Sequence, residues 1–194
     1  MIKYRQQFKR LLFWLTLMAM FVVLSYLTPS KQVEPKVNIV KSVQPTPDPI
    51  TSEIKQFGIK IDKIDVLAPV VKDVDGKDKT EYLKKLKQGV AHFKGTALPD
   101  SGKGNVFIFG HSSSASGTGE YSKIFARLDE LKKDDEFTVF YQDKEYKYKI
   151  ADKEIVEATD LSVLEQTKKE RLTLMTCWPV GTKDKRLIIV ASPL

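Results

Sequence analysis

The sequence is poor in residues that bind metals or form disulfides. Cys177 is the only cysteine, and His92 and His111 are the only two histidines. A single cysteine cannot form a disulfide within the chain, and with two scattered histidines it cannot form a standard structural zinc site. The thiol is therefore an inert packing group, a metal ligand or a nucleophile. We predict neither a metal site nor a cofactor.

Acidic residues are absent from the first 28 positions. Residues 11–28 carry no charge, and at about 1.5 Å per residue such a helix nearly spans a hydrocarbon core of roughly 30 Å. Ser25–Thr28 is a poor cleavage site for a signal peptidase, so an uncleaved anchor is favoured over a cleaved signal peptide. We predict a cytoplasmic basic N-terminus over residues 1–10, a single transmembrane helix over 11–28, and an extracytoplasmic remainder attached to the plasma membrane. Four basic residues carry the orientation signal: Lys3, Arg5, Lys9 and Arg10.

The formal charge of +7 is concentrated near the N-terminus, and the body of the chain is nearly balanced. No stripe of basic residues interleaved with aromatics occurs there, so a nucleic-acid partner is not expected. Residues 29–57 hold five of the nine prolines and predict an extended tether. Residues 58–194 then remain as one folded domain, long enough to bury a core.

Short apolar runs dominate residues 58–194, which predicts a mostly β domain, either a barrel or a sandwich, with a few short helices. Short helices are expected over 80–88 and 161–166, and residues 136–150 have the pattern of a hairpin. The predicted strands cover residues 59–71, 105–109, 136–141, 145–150, 171–176 and 187–191.

Three chemically suited residues lie at the ends of predicted strands. His111 follows the strand 105–109, Cys177 follows 171–176, and Arg186 begins the last strand. If the first two strands are parallel neighbours and the last is antiparallel to the second, all three side chains meet at one rim. A cysteine nucleophile needs such a neighbouring imidazole or guanidinium to stabilise its thiolate.

The segment Thr173-Leu-Met-Thr-Cys177 resembles the Thr-Leu-x-Thr-Cys signature of sortases, the membrane-anchored cysteine transpeptidases of bacterial surfaces. Gly95–Pro99, Gly104–Val106 and Phe109–His111 are similar to the stretch that leads to the catalytic histidine of that family. Arg186 and the apolar residues after it match the arginine and final strand of the family. The resemblance covers residues 58–194 and implies a closed β-barrel of about eight strands.

The resemblance implies a reaction and roles for particular residues. Cys177 is expected to attack the Thr–Gly bond of a Leu-Pro-x-Thr-Gly-like sorting signal at the C-terminus of a secreted protein. His111 would exchange protons with the leaving and incoming amines, and Arg186 would stabilise the oxyanion. The amine would come from a peptidoglycan precursor or a pilin. Expected substrate-binding residues are Thr176, Ala97, Ser112 and Trp178.

Several alternatives stay open at this level. A membrane-tethered cysteine hydrolase could use the same site, and a non-catalytic binding module could keep the same fold. Trp178-Pro179 resembles the aromatic-Pro pair of the class D and class E sortases, but the class is not assigned. The acidic turns 73–78 and 134–136 could hold calcium, although solvated turns are favoured. His92 is predicted to be structural or to lie on the surface.

Overall fold

A computed structural model of the chain describes residues 51–113 and 118–194. Eight strands close into a barrel in the order β1-β2-β3-β4-β7-β8-β6-β5, which confirms the predicted mostly β fold with few helices. The predicted segments 1–10 and 11–28, and most of 29–57, lie outside the described residues. The strands are Phe57–Ile61 (β1), Val66–Val74 (β2), Val90–Phe93 (β3), Asn105–Phe109 (β4), Glu136–Tyr141 (β5), Lys144–Glu157 (β6), Arg171–Trp178 (β7) and Lys185–Pro193 (β8).

The helices are short and connect the strands. Of the helices in residues 51–113 and 118–194, none has the length and apolar character needed to cross a membrane. Helices α1 and α2 cover Ser52–Gln56 and Lys79–Lys85, and three 3-10 helices cover Asp62–Ile64, Leu128–Glu130 and Ser162–Leu164.

Helix α1 belongs to the folded barrel although the sequence places its residues in the tether. The Thr51 side chain accepts a hydrogen bond from the N–H of Ile54 and caps the helix. Ile54 is buried, and a Cβ at Gly58 would lie 2.5 Å from its side chain. The chain therefore enters β1 from a helix packed against it.

The single strand predicted over residues 59–71 is wrong, because the structure has two antiparallel strands there. β1 and β2 pair with Ile61 opposite Val66, and a 3-10 helix connects them. The reversal depends on Asp65, whose φ of 56° is left-handed. Aspartate tolerates that conformation better than most residues, but without glycine or proline the turn gives little signal in the sequence.

The β4–β7–β8 wall is apolar on both faces, which determines where side chains of the site point. Leu172 and Leu174 of β7 belong to the barrel core, whereas Met175 packs against a second cluster outside the barrel. Alternation along β7 therefore places Thr176 on the inner face and Cys177 on the outer face. The outer cluster includes Phe107 and Phe109 of β4, Ile188 of β8, and Tyr82 and Leu86 at α2.

Candidate active site

The structure contains both strand pairings on which the predicted convergence depends. β4 and β7 are parallel, with Phe109 opposite Met175, and β7 and β8 are antiparallel, with Cys177 opposite Arg186. His111 lies two residues beyond Phe109. The imidazole, the thiol and the guanidinium therefore meet at the same end of three adjacent strands and line one cleft.

Hydrogen bonds of the flanking backbone hold the loop that carries His111. The Gly110 N–H donates to the Met175 carbonyl oxygen at 3.1 Å, and the buried Thr176 hydroxyl donates to the Gly110 carbonyl oxygen at 2.9 Å. On the other side, the N–H of Phe125 donates to the His111 carbonyl oxygen at 2.9 Å. A Cβ at Gly110 would lie 2.8 Å from the Phe125 ring, so glycine is needed for this close packing.

A cleft of about 640 Å³ surrounds the three groups. Phe109, Met175 and Phe93 contribute apolar surface, α2 and the residue after it contribute Tyr82, Leu83 and Leu86, and the β7–β8 loop contributes Gly181, Thr182 and Lys183. Sequence reasoning missed these two lining elements. The shared helical face of Tyr82, Leu83 and Leu86 was visible in the sequence, but nothing there related it to Cys177.

The electrostatics of the cleft favour a neutral imidazole. Burial lowers the pKa of His111 below its usual value of 6.5, and the Lys183 ammonium lowers that pKa further. At neutral pH the ring can therefore accept a proton from a thiol.

Arg186 is held by its own loop and has no acidic partner in the described part of the chain. Its Nη1 donates to the carbonyl oxygens of Lys183 and Lys185 at 3.0 and 2.9 Å. These two bonds involve Nη1 alone. The donors on Nε and Nη2 are therefore able to serve a bound carbonyl or oxyanion.

Of the four predicted substrate-binding residues, the structure places only Thr176 in the cleft lining. Ser112 is fully buried, and its hydroxyl has no partner among the described residues. Ala97 and Trp178 pack against the barrel core, and the Ala97 N–H donates to the Asn105 carbonyl oxygen. The geometry therefore gives no support to substrate contacts by the side chains of Ala97, Ser112 or Trp178.

His92 is a structural histidine. Its ring is fully buried, its Nε2 lies 2.9 Å from the Ala97 carbonyl oxygen, and its Nδ1 lies 3.3 Å from the Asp73 backbone nitrogen. This pattern fits a neutral ring that donates from Nε2 and accepts at Nδ1. His92 does not line the cleft that contains Cys177.

The acidic turns use their carboxylates within the protein. Asp78 accepts hydrogen bonds from the N–H groups of Thr80 and Glu81, and Asp135 pairs with Lys63. Within residues 51–113 and 118–194, no group of three or more His, Cys, Asp or Glu side chains is arranged to hold a metal ion.

The closed barrel brings a cysteine, a histidine and an arginine into one cleft, a combination of groups that suits nucleophilic acyl transfer. The family profile described as "Sortase domain" matches residues 59–194. The chain belongs to the sortase family.

Individual relatives agree with this assignment. The chain is 33% identical over 135 residues to "Sortase D" of Bacillus subtilis, an alignment that covers 68% of this chain and 60% of that protein. It is 30% identical over 131 residues to "Sortase A" of Bacillus anthracis, covering 68% and 56% of the two chains. The matched region is therefore less than two thirds of the length of either relative.

Solved structures have the same fold. Sortase C-1 from Actinomyces oris superimposes with a TM-score of 0.61 and 27% identity, covering 71% of this chain and 73% of that chain. The Sortase D5 transpeptidase of Clostridium perfringens superimposes with a TM-score of 0.59 and 25% identity, covering 72% and 78%.

Proposed function

We propose that this protein is a cysteine transpeptidase that acts on a C-terminal sorting signal. The observation that carries the proposal is the convergence of Cys177, His111 and Arg186 in one cleft at the end of β4, β7 and β8. Membership of the sortase family supports it.

In the first half-reaction, His111 accepts the thiol proton and the Cys177 sulfur attacks the carbonyl carbon of the signal threonine, which is joined to the nitrogen of the next residue. Arg186 donates hydrogen bonds to the oxygen as it becomes negative. The C–N bond then breaks, the imidazolium of His111 protonates the leaving amine, and a thioester to Cys177 remains.

In the second half-reaction, an amine attacks the thioester carbon and His111 accepts the amine proton. The C–S bond breaks, an amide forms, and the Cys177 sulfur leaves as a thiolate that regains a proton. The proposed substrates are secreted proteins with a Leu-Pro-x-Thr-Gly-like signal, and the proposed acceptor is an amine of the cell wall or of a pilin.

The test uses the full-length chain, a small library of peptides based on Leu-Pro-x-Thr-Gly, and an amine acceptor, with products identified by mass. We expect an amine-ligated product with the wild type and none with Cys177→Ala. Cleavage with no ligation for any acceptor would contradict transpeptidation and support the hydrolase. A thiol that labels no faster than a free cysteine, together with no product, would support the binding module.

We also propose that residues 11–28 anchor the protein in the plasma membrane with the barrel outside. The support is the uncharged run preceded by four basic residues. External protease should remove the C-terminal domain from intact spheroplasts while a tag on Met1 stays protected. Digestion of the N-terminal tag alone would contradict this orientation.

A further inference from the structure

The cleft has a cationic rim that the proposed chemistry does not require. Lys79, from the first turn of α2, and Lys183, from the β7–β8 loop, line the cleft together with Arg186 and His111. None of the described residues that line the cleft is acidic. Two lysines from separate elements therefore line the cleft that also contains Cys177.

Neither lysine is explained by an ion pair within the described part of the chain. The neighbouring Lys185 is paired, with its Nζ 3.2 Å from Glu157. No carboxylate of the described residues lies within ion-pair distance of Lys79 or Lys183. Asp78, next to Lys79, uses its carboxylate to cap α2. A lysine in the first turn also does not help the helix, because cations are unfavourable near a helix N-terminus.

The position of Lys183 relates this rim to the incoming amine. Its charge acts on the His111 imidazole, the group that accepts the amine proton in the proposed mechanism. A simple ammonium ion approaching this cleft meets the like charges of Arg186, Lys183 and Lys79. An amine that also bears a carboxylate can approach as a neutral zwitterion, with its anionic group paired to the rim.

We infer that Lys79 and Lys183 bind a carboxylate of the acceptor, so that the preferred acceptor is an amine with a carboxylate near the nucleophilic nitrogen. The inference rests on the proposed transpeptidase function and identifies the chemical class of its second substrate. The nitrogen attacks the thioester as described above, and the carboxylate keeps its charge throughout.

The test separates the two half-reactions. The acyl-enzyme of the full-length chain is formed with a signal peptide, confirmed by intact mass, and then divided between glycylglycine and glycylglycinamide. These acceptors share the same amine-bearing end and differ in the terminal carboxylate. The quantity measured is the ratio of the two ligated products, in the wild type and in Lys79→Gln, Lys183→Gln and the double variant.

We expect the wild type to favour glycylglycine and the double variant to reduce that ratio by about three- to tenfold, the size expected for exposed charge pairs. Raising the salt concentration should weaken the preference of the wild type, because exposed charges are screened. The matched control is Lys185→Gln, which removes the same charge from the same region outside the cleft and should leave the ratio unchanged.

Three results would overturn the inference: equal use of the two acceptors by the wild type, an unchanged ratio in the double variant, or the same loss in Lys185→Gln. A second arm of the experiment compares acylation by two signal peptides, one with Glu and one with Gln immediately before the threonine. If the double variant slows acylation only by the Glu signal and keeps the acceptor ratio, the lysines contact the signal, which contradicts the inference. Absence of any acyl-enzyme would instead contradict the proposed function.

Discussion

At the scale of single residues, the protonation state of His111 determines its role in the proposed reaction. A neutral imidazole can accept the thiol proton, whereas an imidazolium can protonate the leaving amine. Burial and the Lys183 ammonium both lower the pKa of His111, so the ring is neutral at pH 7. We expect the imidazole titration of His111 to have its midpoint below 6.5 and to move upward in Lys183→Gln. Because the chain has only two histidines, NMR of histidine-labelled protein can follow the titration of each imidazole separately. A midpoint that Lys183→Gln leaves in place would contradict this arrangement of charges.

His92 should make stability dependent on pH. Burial lowers its pKa in the folded state, with smaller opposing contributions from the Ala97 carbonyl and Asp73. Because the unfolded chain binds the proton more readily, the stabilisation is complete above about pH 6.5 and is lost as pH falls towards the folded pKa.

The measurement is urea unfolding at pH 7.5 and at pH 5.0. The wild type should lose stability between these values, and His92→Gln should be less stable at pH 7.5 but less sensitive to pH. His111→Gln is the control, because it removes the other histidine, which is half-buried, and leaves the His92 contribution. Equal pH sensitivity in the wild type and in His92→Gln would contradict this account.

At the scale of elements, Asn105 connects β4 and β7 to the β6–β7 loop. Its Nδ2 donates to the Val163 carbonyl oxygen at 2.8 Å, and its Oδ1 accepts from the Thr173 hydroxyl at 2.8 Å. All of these contacts are buried. Asn105→Ala removes the acceptor of the Thr173 hydroxyl and leaves the Val163 carbonyl oxygen with only a long bond from Arg171 Nη2, at 3.5 Å. We expect a loss of about 2–4 kcal/mol in the free energy of unfolding.

The matched control for Asn105→Ala is Ser101→Ala, which removes an exposed hydroxyl that donates to the Lys103 carbonyl oxygen at 2.7 Å. It should change stability by no more than about 0.5 kcal/mol. Hydrogen exchange should also show faster opening of residues 162–166 in Asn105→Ala. Equal stability of the two variants would contradict the role given to Asn105.

Helix α1 should stabilise the barrel although its sequence is continuous with the proline-rich segment. Ile54 is buried, and the carbonyl oxygens of Lys55 and Gln56 accept hydrogen bonds from the N–H groups of Asp143 and Gln142. In the full chain, Ile54→Ala should lower the free energy of unfolding by about 2–4 kcal/mol. Glu53→Ala, on the exposed side of the same helix, is the control, and equal effects would contradict this packing.

The sequence could predict the elements with strong periodicity and little else. Residues along β4, β5, β7 and β8 either alternate between apolar and polar or are continuously apolar. The existence of these strands was therefore predictable, and so was the convergence of His111, Cys177 and Arg186. The turn at Asp65 was not predictable, because its left-handed conformation is imposed by the pairing of β1 with β2. Strand β3 is too short to show a pattern.

The residues that form the walls of the cleft could not be predicted from the sequence, for a different reason. α2 and the β7–β8 loop are about a hundred residues apart in the chain, and only closure of the barrel brings Tyr82 and Lys183 to the same cavity. The predicted contacts of Ser112 and Trp178 also depended on which way a side chain points. Trp178 lies on the inner face of β7, whereas Cys177, the residue before it, lies on the outer face.

At the scale of the whole molecule, the barrel explains why these three residues can act together. The parallel pairing of β4 with β7 joins segments more than sixty residues apart, and the antiparallel return of β8 places Arg186 opposite Cys177. Rigid strands fix the spacing of the groups, while the cleft around them is formed by a helix and a loop. This separation of scaffold from lining would allow substrate preference to change without moving the three proposed catalytic groups.

The most direct test of the account is the covalent intermediate itself. We would incubate the full-length chain with a Leu-Pro-x-Thr-Gly-like peptide, stop the reaction with acid, and measure intact mass and the modified residue. We expect a thioester on Cys177 that hydroxylamine releases, strongly reduced accumulation with His111→Ala and none with Cys177→Ala. A Cys177 thiolate that alkylates rapidly but forms no thioester with any signal peptide, or an adduct on another residue, would contradict the central claim.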